Sequence, residues 1–166
     1  MDNRFQPPIS KSLTVKLEDI TLPTQESESN WSDSQNKVLN LCGLQTLVVD
    51  NDVDTRDLLS FVLQEKGAEV IGAASTSEAI SATTNWYPDV LICDICLPDE
   101  DGYTLLRKVR ALEAEVGKQI PAIAITGLLR EEDCPKIVSE GFQKYLPKPT
   151  DLDELVRVVA ELVGRK

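Results

Sequence analysis

From Gln45 onward, short apolar runs alternate with segments in which apolar residues recur at helical spacing, and this alternation predicts most of the architecture. Leu47-Val48-Val49 reads as a first strand and closes on Asp50-Asn51-Asp52. Leu58, Leu59, Val62 and Leu63 then mark one face of a helix that stops at Gly67, a residue suited to a left-handed cap. Glu69 to Ala73 is a second, shorter strand. Ser75 followed by Glu78 has the spacing of a capping box and opens a second helix, which must end before Pro88. The stretch Pro88-Asp89-Val90-Leu91-Ile92-Cys93-Asp94-Ile95-Cys96-Leu97-Pro98 is too short for an ordinary helix and too continuous for a strand with one wet face. It predicts a buried strand that delivers Asp94 to a surface loop.

Asp101-Gly102 makes a turn into a third helix, where Leu105, Val109 and Leu112 recur until Gly117. Ile120 to Ile125 is a fourth strand, left through Thr126-Gly127. The next helix should be short, because Asp133 is placed to cap it and Pro135 is acceptable only in its first turn. Phe142 to Leu146 is a fifth strand, polar at Gln143 and Lys144. Leu152, Leu155, Val156, Val159 and Leu162 form the apolar stripe of a closing helix, with Thr150 or Asp151 as its cap.

Strands alternating with helices through short connections predict one parallel sheet covered on both faces. The first, third and fourth strands are the most apolar and belong at the centre, while the second and fifth carry Glu69, Gln143 and Lys144 and suit the edges. In such sheets ligands bind beyond the carboxyl ends of the strands, which is where Asp50, Asn51 and Asp94 should meet.

Residues 1–43 differ in kind: Ser, Gln, Asn, Glu and Pro dominate, and they read as a flexible extension or linker before a domain over 44–166. Within the extension Leu13, Val15 and Leu17 alternate as a short strand would, Trp31 is a solvated residue or a partner anchor, and Val38-Leu39-Asn40-Leu41 is placed to lie against the domain.

Composition removes several function classes. Seventeen Lys and Arg against twenty-eight Asp and Glu give a net charge of −11, which repels nucleic-acid phosphates and anionic lipid surfaces, so neither nucleic acid nor membrane is an expected partner. No apolar run approaches about 18 residues and no signal peptide opens the chain, so a cytoplasmic protein is expected, with Cys42, Cys93, Cys96 and Cys134 reduced. Histidine is absent, which removes the commonest general base and metal ligand and any phosphohistidine intermediate on this chain.

Four strands thus end in polar groups at one edge of the sheet: Asp50 and Asn51, Asp94, Thr126, and Lys148 just after the fifth. With the segments "LVVDND", "DVLICDICLPDEDGYTLL", "PAIAITG" and "YLPKP" in that order, residues 45–164 resemble the CheY-like receiver domain of bacterial two-component response regulators. The resemblance implies a flavodoxin-like three-layer α/β/α sandwich with five helices and a five-stranded parallel sheet of order 2-1-3-4-5. That order is shared by the chemotaxis regulator of the family, so it rests on the resemblance as much as on the apolar pattern.

The resemblance further implies that Asp94 accepts a phosphoryl group from a histidine kinase or histidine phosphotransfer protein. It implies Mg2+ held by Asp50, Asn51, Asp94 and the Cys96 backbone carbonyl, with Lys148 and Thr126 meeting the phosphoryl oxygens. A switch through Thr126 and Tyr145 would signal by protein contact at the face of the fourth helix, fifth strand and fifth helix, to a downstream effector or a second copy of the chain. On this reading the protein is no enzyme beyond catalysing its own phosphorylation and dephosphorylation, and with no output domain expected after Lys166 it acts by contact. A cis peptide is expected at Lys148-Pro149. Asn51 stands where the family more often has Asp, which predicts weaker metal affinity, and Cys96 and Leu129 are ill suited to orient water, which predicts a long-lived phosphate.

Other readings remain open at this stage. Cys93-Asp94-Ile95-Cys96 is formally a redox C-x-x-C motif, although Cys93 falls within a strand. Zinc would lack histidine and has only scattered cysteines. A receiver-like binding module read without phosphorylation is favoured by Asn51 alone, and a haloacid-dehalogenase-like phosphatase would want a second acid where Cys96 stands.

Overall fold

The structure, a computed structural model, describes residues 39–127 and 130–165. The expected strand at Leu13–Leu17, Trp31 and Leu129 lie outside the described residues.

The elements follow the alternation in the sequence: β1 (Gln45–Val49), α1 (Val53–Glu65), β2 (Glu69–Ala73), α2 (Thr76–Trp86), β3 (Val90–Asp94), α3 (Gly102–Val116), β4 (Ala122–Thr126), α4 (Cys134–Ser139), β5 (Lys144–Pro147) and α5 (Leu152–Leu162). A short 3-10 turn, Glu131–Asp133, precedes α4. All strand pairs are parallel and the order is β2-β1-β3-β4-β5. The parallel sheet covered on both faces that the pattern predicts, and the flavodoxin-like strand order that the resemblance implies, are both present among the described residues.

The two-residue period of the strands builds two cores, one on each face of the sheet. Val48, Val90, Ile92, Ile123, Ile125 and Leu146 face α1 and α5, where Leu59, Leu63, Leu155 and Val159 meet them. Leu47, Val49, Leu91, Cys93, Ala122 and Ala124 face the other way, toward α2, α3 and α4. The small Ala122 and Ala124 leave room on that face for Phe142 and Tyr103, whose rings meet edge to face at 6.3 Å. Leu41 is also fully buried, packing into the α1/α5 core ahead of β1.

Helix starts are fixed by side chains that satisfy otherwise orphaned amides. Asp52 accepts from Thr55 N at 3.1 Å, Asp101 from Thr104 N at 2.8 Å, and Asp151 from Asp153 N and Glu154 N at 3.0 and 3.1 Å. Half of the Ser75/Glu78 capping box forms: Ser75 Oγ accepts from Glu78 N at 3.2 Å, but the Glu78 carboxylate accepts from Ala74 N at 2.7 Å, one residue before the cap, instead of from Ser75 N.

Several details differ from the sequence expectation. Leu58 is 50% exposed, because the buried stripe of α1 centres on Leu59 and Leu63 and a residue one step earlier is rotated away by about 100°. Asp133 does not cap α4; it turns back to accept from Arg130 N at 3.3 Å and closes the 3-10 turn. β4 begins at Ala122, and Ile120 before it is tied by its amide to the buried Glu113 carboxylate, which also pairs with Arg110. Phe142 precedes β5, its amide donating to Ile137 O at 3.3 Å, so it ends the α4 turn as a core plug.

Candidate functional site

The parallel sheet brings the carboxyl ends of β1, β3 and β4 together, and each strand delivers one side chain there: Asp50, Asp94 and Thr126. All three are buried, with Asp50 only 2% and Asp94 8% exposed. Two nearly dry carboxylates in one place need compensation. Lys148 supplies it from the β5–α5 connection: its Nζ lies 2.7 Å from Asp50 Oδ2 and 2.9 Å from Asp94 Oδ2. Burial pushes the Lys148 pKa down, but the hydrogen bonds and charges of Asp50 and Asp94 outweigh it and hold the ammonium above its ordinary value.

The backbone around these groups is also held. Lys148 N donates to Thr126 O at 3.0 Å, and the Lys148–Pro149 peptide is cis, as the family resemblance implies. Asp50 Oδ1 accepts from Asp52 N at 2.8 Å, and its carbonyl accepts from the Arg56 guanidinium at 2.7 Å. Arg56 reaches that carbonyl by lying across Gly72 of β2, where a Cβ would come within 3.1 Å of its side chain. Asp94 Oδ1 accepts from Cys96 N at 3.1 Å. Gly102, the first residue of α3, sits so close behind Asp94 that a Cβ would be 2.6 Å from the Asp94 carbonyl oxygen.

Of the residues singled out from sequence, Asp50, Asp94 and Lys148 are in direct contact and Thr126 is joined to Lys148 through the backbone. Asn51 and Cys96 are exposed at the rim. Asp52 is directed away, to the start of α1. Tyr145 is half-buried on the α4 side of β5, where the neighbouring Cys134 thiol holds its hydroxyl pKa above the ordinary value. Arg56, Asp99 and Gly102 carry no role in the sequence reading of the site; Arg56 and Gly102 lie against the backbone of Asp50 and Asp94, and Asp99 ties the loop after Asp94 to the first turn of α2.

The cysteine geometry gives no support to a redox pair. Cys93 is fully buried, donates to Asp94 O at 2.9 Å, and burial followed by the charge of Asp94 raises its pKa well above the ordinary thiol value. The Cys96 thiol is likewise raised, first by burial and then by Asp94. A reactive C-x-x-C motif needs the opposite, a stabilised thiolate.

As a metal site, the cluster has two carboxylates at its centre. Among the described residues no group of three or more His, Cys, Asp or Glu side chains is gathered to hold an ion. What the sheet edge offers is oxygen only: the Asp50 and Asp94 carboxylates at the centre, with the exposed Asn51 amide at the rim. That donor set fits Mg2+, a hard cation that takes one or two carboxylates and keeps several waters, and is a poor match for zinc.

Comparison with known proteins agrees with this geometry. The model of the response regulator receiver domain matches residues 46–160. A 14.6 kDa uncharacterized protein of Leptolyngbya boryana is 43% identical over 121 residues, covering 73% of this chain and 91% of its own. The virulence transcriptional regulatory protein PhoP of Salmonella typhimurium is 30% identical over 122 residues, covering 74% of this chain but only 53% of PhoP. Among solved structures, a chain of the CheX–CheY–BeF3–Mg2+ complex from Borrelia burgdorferi superimposes with a TM-score of 0.66 at 25% identity, covering 73% of this chain and 90% of its own. With the acids of β1 and β3, the hydroxyl of β4 and the lysine after β5 at one sheet edge, the chain belongs to the response regulator receiver family of two-component systems.

Proposed function

We propose that this receiver takes a phosphoryl group onto Asp94 from a histidine kinase or histidine phosphotransfer protein. The observation that carries the reading is the Asp94 carboxylate at the mouth of β3 with Lys148 Nζ 2.9 Å away and Asp50 beside it. In the transfer, one Asp94 oxygen attacks phosphorus in line. An O–P bond forms as the P–N bond to the donor imidazole breaks, and the bonding pair returns to the ring nitrogen. Asp94 Oδ1 is held by Cys96 N and Oδ2 by Lys148, so the ammonium moves from carboxylate to phosphoryl oxygen as the new bond forms. Thr126, at the end of the adjacent strand, would donate to another phosphoryl oxygen.

Mg2+ would be held by Asp50, Asp94, Asn51 and the Cys96 carbonyl, and when bound it neutralises the charge of the transferring group. The Borrelia complex, which contains Mg2+ with a CheY, supports this assignment. Asn51 contributes an oxygen without a charge, which favours a weaker site than an Asp would give.

The chemistry is single-turnover on the protein's own side chain, so the reading is of a signalling module and not of an enzyme acting on a separate substrate. Val53, Leu58 and Phe61 of α1 are 51%, 50% and 58% exposed on the helix that starts beside Asp50, and they offer apolar surface that a docking donor protein would bury. Readout would pass through Thr126 and Tyr145 to the α4-β5-α5 face, where an effector or a second copy of the chain would bind. No described helix is long and apolar enough to cross a membrane.

The test is incubation with acetyl phosphate and Mg2+ followed by intact mass. The wild type gains one phosphoryl group and Asp94→Ala does not; an Asp94→Ala protein that gains it equally, or a wild type that never does, overturns the proposal. The latter outcome, with Asn51 at the rim, would favour a binding module read without phosphorylation.

A further inference from the structure

We propose that Asp99 is a positioning residue for the acceptor site, acting by clamping the loop that follows Asp94 to the first turn of α2. The proposal rests on the reading of Asp94 as phosphoacceptor with the Cys96 carbonyl directed to Mg2+, and adds a residue outside that set.

The loop leaves the sheet at Asp94 and rejoins regular structure at Asp101, the cap of α3. Its ends are tied locally, by Cys96 N to Asp94 Oδ1 at 3.1 Å and by Gly102 N to Ile95 O at 2.7 Å. Its middle is tied by Asp99. One carboxylate oxygen accepts from Thr76 N at 3.0 Å and Glu100 N at 2.9 Å, and the other accepts from Ser77 N at 3.1 Å. The α2 cap Ser75 accepts from Glu78 N, so Thr76 and Ser77 are the amides of the first turn that its side chain leaves over. Asp99, from a distant loop, completes the cap.

Each end of this clamp is suited to transmit position. Thr76 is 1% and Ala79 0% exposed, so the start of α2 is fixed in the core and gives Asp99 a rigid anchor. A carboxylate at a helix N-terminus is further favoured by the exposed amides and the helix dipole. The amides hold the Asp99 carboxyl at about 2, so it is charged throughout the range in which the protein functions. The other ties to this part of the loop are weaker: an exposed Glu100–Lys108 pair, and Thr76 Oγ1 to Glu100 O at 3.5 Å. With Asp99 removed, the middle of the loop loses its tie to α2, and the Cys96 carbonyl three residues upstream is held only by the local bonds at the loop ends.

The experiment is a calorimetric Mg2+ titration of the full chain in wild type, Asp99→Ala and Asp99→Asn, with circular dichroism of each metal-free protein at the titration temperature. The expected result is Mg2+ affinity weakened about tenfold in Asp99→Ala, the lower end of what losing a group that orients a metal ligand costs. Asp99→Asn, which keeps one acceptor oxygen, should lie between. Folded variants with wild-type Mg2+ affinity would show that Asp99 serves stability alone and would overturn the proposal. If Asp99→Ala does not stay folded, Asp99→Asn decides by the same criterion. A wild type that binds no Mg2+ refutes the acceptor-site reading and this proposal together, and is told apart by failing before any substitution is made.

Discussion

Adding one methyl group at Gly102 sets two effects of opposite sign against each other. Gly102 is the first residue of α3, and Ala is favoured over Gly in a helix interior by about 1 kcal/mol, less in the first turn. Propensity alone therefore predicts that Gly102→Ala is neutral or slightly stabilising. Packing predicts the reverse. The added Cβ would lie 2.6 Å from Asp94 O, 2.9 Å from Ile95 Cα and 3.2 Å from Cys93 Sγ, and the two nearest atoms are backbone that cannot rotate aside. Overpacking costs about 1–3 kcal/mol and a contact this close to fixed backbone belongs at about 3, so after the propensity gain of up to about 1 the net expectation is a loss of about 2 kcal/mol. With a urea slope of about 2 kcal/mol/M for a domain of this size, the midpoint should fall by about 1 M. Because the displaced atoms belong to Asp94 and its neighbour, the rate of phosphorylation by acetyl phosphate should fall as well. A midpoint equal to or above that of the wild type would show that α3 can shift freely relative to the acceptor loop, and would refute the argument that Gly102 sets the position of Asp94.

Three further outcomes follow from single groups. Asn51→Asp adds a carboxylate beside Asp50 and should tighten Mg2+ binding on the order of tenfold by calorimetry, and equal affinities would show that residue 51 does not reach the ion. Thr46 is fully buried in β1, and its hydroxyl is the buried side-chain polar atom left without a partner among the described residues; Thr46→Val should therefore raise stability by about 1 kcal/mol in urea unfolding, and a loss would point to an unseen partner. Asp99 titrates at about 2 when folded against 3.8 ordinarily, so the stability it contributes is complete above pH 4 and is lost as pH falls toward 2; thermal melts of Asp99→Asn should be flatter across that window than those of the wild type, and parallel curves would contradict the assignment.

Much of the architecture and the central cluster was legible because the signals are local and periodic. Apolar runs punctuated by Pro88 and by acids mark the strands, and the period of two within β1, β3 and β4 assigns each residue to one of the two cores. Strand ends then place Asp50, Asp94 and Thr126 at one edge without any tertiary information. Asp99 was not legible for the opposite reason. It sits in a polar loop beside Glu100 and Asp101, where any acid resembles a solvated surface group, and its partners Ser77 and Thr76 are 22 and 23 residues away with no periodicity linking them. Gly102 read as a turn residue because an Asp-Gly pair signals a turn, whereas its role is a close approach to the Asp94 backbone. Phe142 carries the composition of a strand, but its amide is committed to Ile137 O, a choice that the contest between α4 and β5 decides. Leu58 shows the limit of a periodic stripe: α1 buries Leu59 and Leu63, and the extra leucine beside them is left as surface.

The same contacts suggest why Lys148 is the group through which phosphorylation would be felt beyond the acceptor. Its ammonium is shared between Asp50 and Asp94, while its amide donates to Thr126 O, so one residue joins the acid cluster to the end of β4. A phosphoryl group on Asp94 adds charge and acceptor oxygens next to that ammonium, and the sharing cannot stay as it is. Any shift of Lys148 toward the phosphoryl group loads the bond to Thr126, and with it the β4–β5 pairing in which Ala124 lies opposite Tyr145. Ala124 is small and Tyr145 opposite it is only half-buried, so the tyrosine could change position on its solvent side without displacing a large core side chain. On the proposed chemistry the path from acceptor to readout face is thus short, running from a half-buried ammonium through a backbone hydrogen bond to an edge-strand tyrosine.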